Sequence, residues 1–286
     1  MIARKALPDE FRLFNDRHRA PYGRLGVVYG RYSLARYARR IRSDRALRFL
    51  GPYSFQANSP TRRFEYPWVA NQIKPQVGLR VLEIGGALSG LQFTLSGLGC
   101  EVHNVDPFYD YGSGAYKIDP VHEIARLNRA FGTNVVLHQM PLPELVAQDL
   151  HSGTEEEFGD ARLGKFDFVY SVSTLEHIPK DELQKTLACV PSLLKDSGRV
   201  VLTVDLFTNI YPFTTAPSNQ WGTNVSLKWI GEMLEMEMEN EVPGESYGYE
   251  EFSTDAIKSN LGHYSYNRGD SQLAQCISYR KSIGEC

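Results

Sequence analysis

Apolar positions along the chain switch repeatedly between two periods. Short runs rich in Val, Ile and Leu occur at Arg80–Ile84, Glu101–Val105, Asn134–His138, Phe166–Val172 and Arg199–Val204. Each is followed by a turn or a polar loop, as parallel strands covered on both faces are. Segments with helical spacing lie between them at Leu91–Gly97, Pro120–Phe131 and Lys180–Leu194. This alternation predicts βαβ units and a doubly wound, mostly parallel sheet. A ligand of such a sheet sits outside the carboxyl ends of the strands, so the functional residues belong in the loops that follow them. Beyond these units, a helix over about 226–235 and two strand-like stretches, Met236–Val242 and Leu273–Tyr279, close the chain.

The N-terminal pattern is different. Leu34, Tyr37, Ala38 and Ile41, then Ala46, Leu47 and Leu50, fall at helical spacing. Gly51-Pro52 and Asn58-Ser59-Pro60 punctuate the end of this region. The expected division is a helical extension over residues 1–60 and an α/β domain over 61–286, with a loop on the substrate side at 206–223.

Charge separates the same two regions. Residues 1–63 carry fourteen Arg and Lys5 against Asp9, Glu10, Asp16 and Asp44, a balance of +11, and the net charge of −3 leaves −14 for the rest. The cationic segment either meets something anionic (a phosphate-bearing substrate, a membrane surface, an acidic partner) or pairs with the acidic main domain. A helix around Arg31–Leu50, with Arg36, Arg39, Arg40 and Arg42 beside an apolar stripe, suits a membrane surface or an ordinary cap. No run reaches the roughly 18 apolar residues of a membrane helix. Cys100, Cys189, Cys276 and Cys286 are too widely spaced for a metal or disulfide framework. A reduced, cytoplasmic setting without a resident metal is expected, and the acidic main domain shows no nucleic-acid motif.

The chemistry concentrates at the strand ends. Val81-Leu82-Glu83-Ile84-Gly85-Gly86-Ala87-Leu88-Ser89-Gly90 is a strand running into a Gly-rich turn, which lets a ligand approach backbone and helix N-terminus. Asp106, in Val105-Asp106-Pro107, ends the second strand about twenty residues later, the spacing of an acid that accepts from ribose hydroxyls. Phe166–Pro179 reads FDFVYSVSTLEHIP and Leu193–Val204 reads LLKDSGRVVLTV. Together these four elements, over about residues 78–206, resemble the class I S-adenosylmethionine-dependent methyltransferases, in the group with a Leu-Glu-His element after the fourth strand. The resemblance implies a Rossmann-like, mostly parallel seven-stranded sheet whose last two strands form an antiparallel hairpin. It also implies S-adenosyl-L-methionine as cofactor.

By that resemblance Glu83 lies near the methionine end of the cofactor, and Gly85 and Gly86 admit it to the backbone. Asp106 and Pro107 meet the ribose, Gln139 and Met140 border the adenine, and Ser171, Val172 and Ser173 flank the methionine portion. Many members place an acid where Gln139 and Met140 stand, and glycines where Ala87 and Ser89 stand, so this chain departs from the pattern at both places. Upstream, Arg63 is the candidate partner of the cofactor carboxylate and Tyr66 lines its pocket.

His177 is the candidate base for an acceptor that must lose a proton. Tyr109, Tyr111, Asp205, Tyr211 and Trp221, in the loops after the second and fifth strands, are candidate substrate contacts. Rings among Asn, Thr and Ser suit a sugar or another polyhydroxylated acceptor, while packing over the sheet edge explains them equally well. The expected function is methyl transfer to an O or N atom of a small molecule. The alternatives are an NAD-dependent oxidoreductase, because Gly85-x-Ala87-x-x-Gly90 imitates a dinucleotide fingerprint, and a non-catalytic partner subunit that keeps the fold.

Overall fold

The computed structural model describes residues 1–28, 32–109, 118–151 and 163–281. Seven strands form one sheet: β1 (Arg80–Ile84), β2 (Glu101–Val105), β3 (Val136–His138), β4 (Phe166–Val172), β5 (Leu194–Phe207), β6 (Met236–Met238) and β7 (Gln272–Lys281). Their order is β3-β2-β1-β4-β5-β7-β6. The first five are parallel, whereas β7 runs antiparallel to both β5 and β6. This is the Rossmann-like sheet with an antiparallel C-terminal pair that the sequence implies. The order reverses beside β1, and a doubly wound sheet takes its ligand in a crevice at that point, here the carboxyl ends of β1 and β4.

Period-two alternation sorts the strand residues onto two cores. Val81, Val102, Tyr170 and Val201 face the helices α4 (Arg62–Ile73), α5 (Gly90–Gly97) and α6 (Pro120–Phe131). Leu82, Val169, Leu202 and Ile277 face α7 (Leu142–His151), α8 (Lys180–Leu193) and α9 (Leu227–Leu234). Among the described residues no helix is long and apolar enough to cross a membrane.

Several expected boundaries move, each for a local reason. The strand expected over Asn134–His138 begins only at Val136, because the Asn134 and Val135 amides are captured by the side chains of Ser96 and Asn128. The strand expected over Met236–Val242 stops at Met238; beyond it the Asn240 carboxamide, not the backbone ladder, accepts the Ser278 N–H. The fifth strand starts at Leu194 rather than Arg199 and continues to Phe207, through a register shift opposite Phe166 and Phe168.

The N-terminal 60 residues fold as α1 (Asp9–His18), α2 (Tyr32–Arg40) and α3 (Asp44–Leu50). The helix expected around Arg31–Leu50 is thus two, divided at Ile41–Ser43, and the Ser43 hydroxyl caps the second by accepting from Ala46. This region is woven into the domain. Ile2 and Ala3 are fully buried, and they pair with β7 along an edge that short β6 leaves open. Cys100, Cys189 and Cys276 are free thiols, and Cys286 lies outside the described residues.

Candidate active site

The turn after β1 is built by its neighbours on β2. Ile84 pairs with Val105, so Gly85–Ala87 lies directly beside Asp106. Gly85 has φ +72°, and a Cβ there would strike the Thr174 side chain, so only glycine fits. Asn104 Oδ1 accepts from Gly86 N (3.1 Å), Asn104 Nδ2 donates to Ala87 O (3.1 Å), and Gln92 Nε2 reaches the same carbonyl (3.1 Å). Asp106 accepts from Ala87 N (2.8 Å) and Phe108 N (2.6 Å). Ser89 then caps α5 by accepting from Leu91 N. The result is a rigid turn that brings a carboxylate and a helix N-terminus to one side of the crevice. Asp106 thus buttresses the turn from the end of β2, the position from which the sequence resemblance has an acid meet the ribose. The adjacent Pro107 is half-buried and leads to Phe108.

Below the turn, Glu83 is 1% exposed and accepts from the Tyr170 hydroxyl at 2.9 Å. Burial pushes its carboxyl up to about 8, against the hydrogen bonds from Tyr170 and Ser89. Gly86 approaches it so closely that a Cβ would come within 2.5 Å of the Glu83 carboxyl carbon. Ser171 does not face the crevice; its hydroxyl ties β4 to β1 by donating to Ile84 O at 2.9 Å. Val172 and Ser173 do reach it, both buried, with Ser173 at φ +41°.

The opposite wall comes from α4, and there the sequence expectation needs a correction. Arg63 is exposed, and the inward arginine is Arg62, one position earlier. A helix advances about 100° per residue, and this one is buried over Phe64–Ala70, so its single outward direction in the first turn falls to Arg63 while Arg62 points in with Glu65, three positions on. Arg62 Nη1 donates to Glu65 Oε2 (2.5 Å) and to Ser173 Oγ (2.6 Å). Glu65 Oε1 also accepts from Ser173 (2.6 Å) and Thr203 (2.7 Å). Burial opposes the charge on Glu65, yet Arg62 and the two hydroxyls outweigh it and hold its carboxyl below the usual range. Tyr66 is fully enclosed and donates to Asn58 Oδ1 at 2.7 Å. Arg62, Glu65 and Asn58 are not among the expected site residues; the Thr-Arg-Arg-Phe-Glu run at 61–65 carries the first two, and Asn58 opens the Asn-Ser-Pro turn before it.

At the carboxyl ends of β4 and β5 lies a third group. Asp205 N donates to Glu176 Oε1 (3.1 Å), and Gln272 Nε2 donates to Asp205 Oδ2 (2.5 Å). Burial first, then their mutual proximity, pushes the Glu176 carboxyl well above the ordinary carboxylate range, and burial also raises Asp205. His177 stands over them, 39% exposed, with Nδ1 bonded to the Trp221 carbonyl oxygen. Trp221 is half-buried and donates from Nε1 to Asp270 Oδ1 (3.1 Å), so it forms a wall here.

Of the remaining expected contacts, Tyr109 and Tyr211 are 72% and 61% exposed. Tyr111 lies outside the described residues. Gln139 is exposed and Met140 half-buried beyond β3, where Met140 packs against the core under α7.

The residues present fit the nucleoside and the amino-acid portions of S-adenosylmethionine. The acid-backed glycine turn has acceptors of the kind a sugar's hydroxyls need, and the arginine with buried acids has the charges a zwitterionic amino acid needs. A family model described as a methyltransferase domain matches residues 34–241. Among solved structures, the chain resembles the N-methyltransferase NodS from Bradyrhizobium japonicum WM9 in complex with S-adenosyl-L-homocysteine, at 12% identity, covering 88% of this chain and 97% of that one, with a TM-score of 0.47. It also resembles the Burkholderia thailandensis 1,6-didemethyltoxoflavin-N1-methyltransferase, at 15% identity, 76% of each chain and a TM-score of 0.45. The [4+2]-cyclase SpnF is similar at 14% identity, 77% of this chain, 81% of that one and a TM-score of 0.48. A search of curated protein sequences found no match. With the sheet order, the Gly-rich turn and the family match over most of its length, the chain belongs to the S-adenosylmethionine-dependent class I methyltransferases.

Proposed function

We propose that this chain moves a methyl group from S-adenosylmethionine to an oxygen or nitrogen of a small polyhydroxylated acceptor, a sugar or a natural-product intermediate. The observation that carries the reading is the rim formed by Glu176, His177, Asp205 and Trp221 at the ends of β4 and β5, beside the Asp106 turn. It offers a ring wall and hydrogen-bonding groups to an acceptor, next to the crevice that suits the cofactor.

The cofactor supplies an electrophilic methyl group on a sulfonium. The protein's part is to hold, align and exclude water. Asp106 holds the ribose, and Arg62 and Glu83 bracket the amino-acid end. Trp221 and His177 orient the acceptor, whose departing proton is the only one the reaction must handle. Arg36, Arg40, Arg45 and Arg48 point outward from α2 and α3, a surface suited to an anionic group on a substrate, a partner or a membrane.

The test is calorimetric titration with S-adenosylhomocysteine, with NAD in parallel and Asp106→Ala as the variant. Micromolar binding of the thioether, weakened in the variant and absent for NAD, supports the reading and opens acceptor screening with labelled methyl donor. No thioether binding by the folded protein, or binding of NAD instead, sinks it.

A further inference from the structure

We infer that Glu176, Asp205 and His177 bind one divalent cation at the rim of the acceptor site. One ligand atom from each of the three residues lies within 4.8 Å of the others. Both acids are almost wholly buried, at 2% and 3% exposure. Each member has one polar atom anchored by the protein and one left over. Glu176 Oε1 accepts from Asp205 N, and Asp205 Oδ2 accepts from Gln272. Glu176 Oε2 and Asp205 Oδ1 are buried and receive no hydrogen bond from any other group, and the two carboxyls lie close enough to each other to share a proton. His177 Nδ1 is engaged by the Trp221 carbonyl oxygen, to which it can only donate. That bond fixes the tautomer and puts the ring's lone pair on Nε2, 3.9 Å from Glu176 Oε1. Oriented imidazole with its far nitrogen tied to a carbonyl is the arrangement that metal-bound histidines adopt.

The surroundings agree. A cavity of about 10 Å³, room for one water-sized particle, opens against two of the three ligands, His177 and Asp205, with Trp221, Asp270 and Gln272 around it. Asp270 is held by Trp221 and Asn267, and it adds negative charge at the edge. Arg62 lies close enough to favour the charged form of Asp205, while its Nη1 donates to Glu65 and Ser173. Two buried carboxylates need either a cation or a shared proton between them. Two carboxylate oxygens and one imidazole suit Mn²⁺ or Zn²⁺, with positions open for oxygen ligands from solvent or acceptor.

The use of the site, as distinct from the binding, rests on the methyl-transfer reading. A bound cation would supply Lewis-acid polarisation, so that an acceptor hydroxyl oxygen held there by the rim would lose its proton to water more readily. Its lone pair then forms the bond to the methyl carbon while the S–C bond breaks, its electron pair staying on sulfur. His177 thereby serves as a ligand rather than as the base that the sequence reading assigns.

The experiment titrates Mn²⁺ into the full, metal-stripped chain and follows free Mn²⁺ by electron paramagnetic resonance, with Zn²⁺ and Mg²⁺ as competitors. One equivalent bound at micromolar Kd, weakened at least tenfold in Glu176→Gln, Asp205→Asn and His177→Ala, supports the site. His177 is exposed, so His177→Ala remains informative if the buried variants do not fold. Absence of binding, or binding unchanged in His177→Ala, overturns the inference and leaves a proton-sharing pair. S-adenosylhomocysteine titrated in parallel separates the two readings: Mn²⁺ binding without thioether binding keeps the cation site and removes its role in methyl transfer, while thioether binding without Mn²⁺ overturns the site alone.

Discussion

Asp106 and Glu83 show how one side chain answers to both structure and chemistry. Asp106 accepts two turn amides, so Asp106→Ala should loosen the turn by about 1–3 kcal/mol, the usual cost of orphaned donors. Asp106→Asn keeps one acceptor and should lose less, in both urea unfolding and thioether affinity. Glu83 is held with its carboxyl near 8, above the 4.5 of an unperturbed glutamic acid. A raised acid stabilises the fold most fully below the unfolded value, and that contribution is lost as pH climbs through the folded one. Glu83 should therefore lower stability progressively between pH 4.5 and 8. Glu83→Gln keeps an acceptor for the Tyr170 hydroxyl without the charge. Its melting temperature relative to the parent should rise between pH 5 and pH 8, and a flat difference would refute the assignment.

At the scale of elements, α4 decides what closes the crevice. Its inward face carries Arg62 and Glu65, which are buried together and bonded to the ends of β4 and β5. Removing only the cation leaves Glu65 charged in the interior, so Arg62→Ala should cost about 3–5 kcal/mol in denaturant unfolding. Arg63→Ala, one residue along on the exposed side, should stay within about 0.5 kcal/mol. Arg62→Met with Glu65→Leu should recover much of the loss, since replacing both partners removes the unpaired charge. Thioether binding should remain impaired in that double variant, which separates Arg62's part in the fold from its part in the site.

For the whole molecule, the N-terminal segment is a structural member of the sheet. Ala3 N donates to Ala274 O (2.8 Å), and Cys276 N donates to Met1 O (2.8 Å). Ala3→Pro removes the first donor and should lower the melting temperature by several degrees. It should also speed hydrogen exchange at the Cys276 amide, while the amides of β1 and β2 stay protected; unchanged exchange at Cys276 would show that the pairing is not maintained. Further along the same segment, the Tyr53 ring covers Gly90 so closely that a Cβ there would strike it. Arg4 pairs with Glu245 across the chain, but Arg36, Arg40, Arg45 and Arg48 of α2 and α3 point outward. Of the two sequence explanations for the cationic segment, pairing with the acidic domain accounts for Arg4 and leaves this outer face for another purpose.

The sequence alone determined the five parallel strands, most of the helices between them and the acids Glu83, Asp106 and Asp205 near the ends of β1, β2 and β5, because these depend on local periodicity and turn chemistry. Arg80–Ile84, Glu101–Val105 and Phe166–Val172 are read off with their observed bounds, since each is a dense apolar run bounded by Gly, Pro or polar residues. Helix α1 stayed unread although Asp9 and Glu10 at its start and Arg17 and His18 at its end follow the helix dipole, because its apolar stripe is weak. Helix α7 is not legible in the sequence because its start at Leu142-Pro143 adjoins the loop after β3 with no side-chain cap or glycine to mark the boundary. Tertiary structure alone decided that Arg62 rather than Arg63 turns inward, that residues 1–3 pair with β7, and that Glu176 meets Asp205 29 residues away. Those outcomes rest on which surfaces meet in space, and contacts between distant segments leave no periodic trace in the chain.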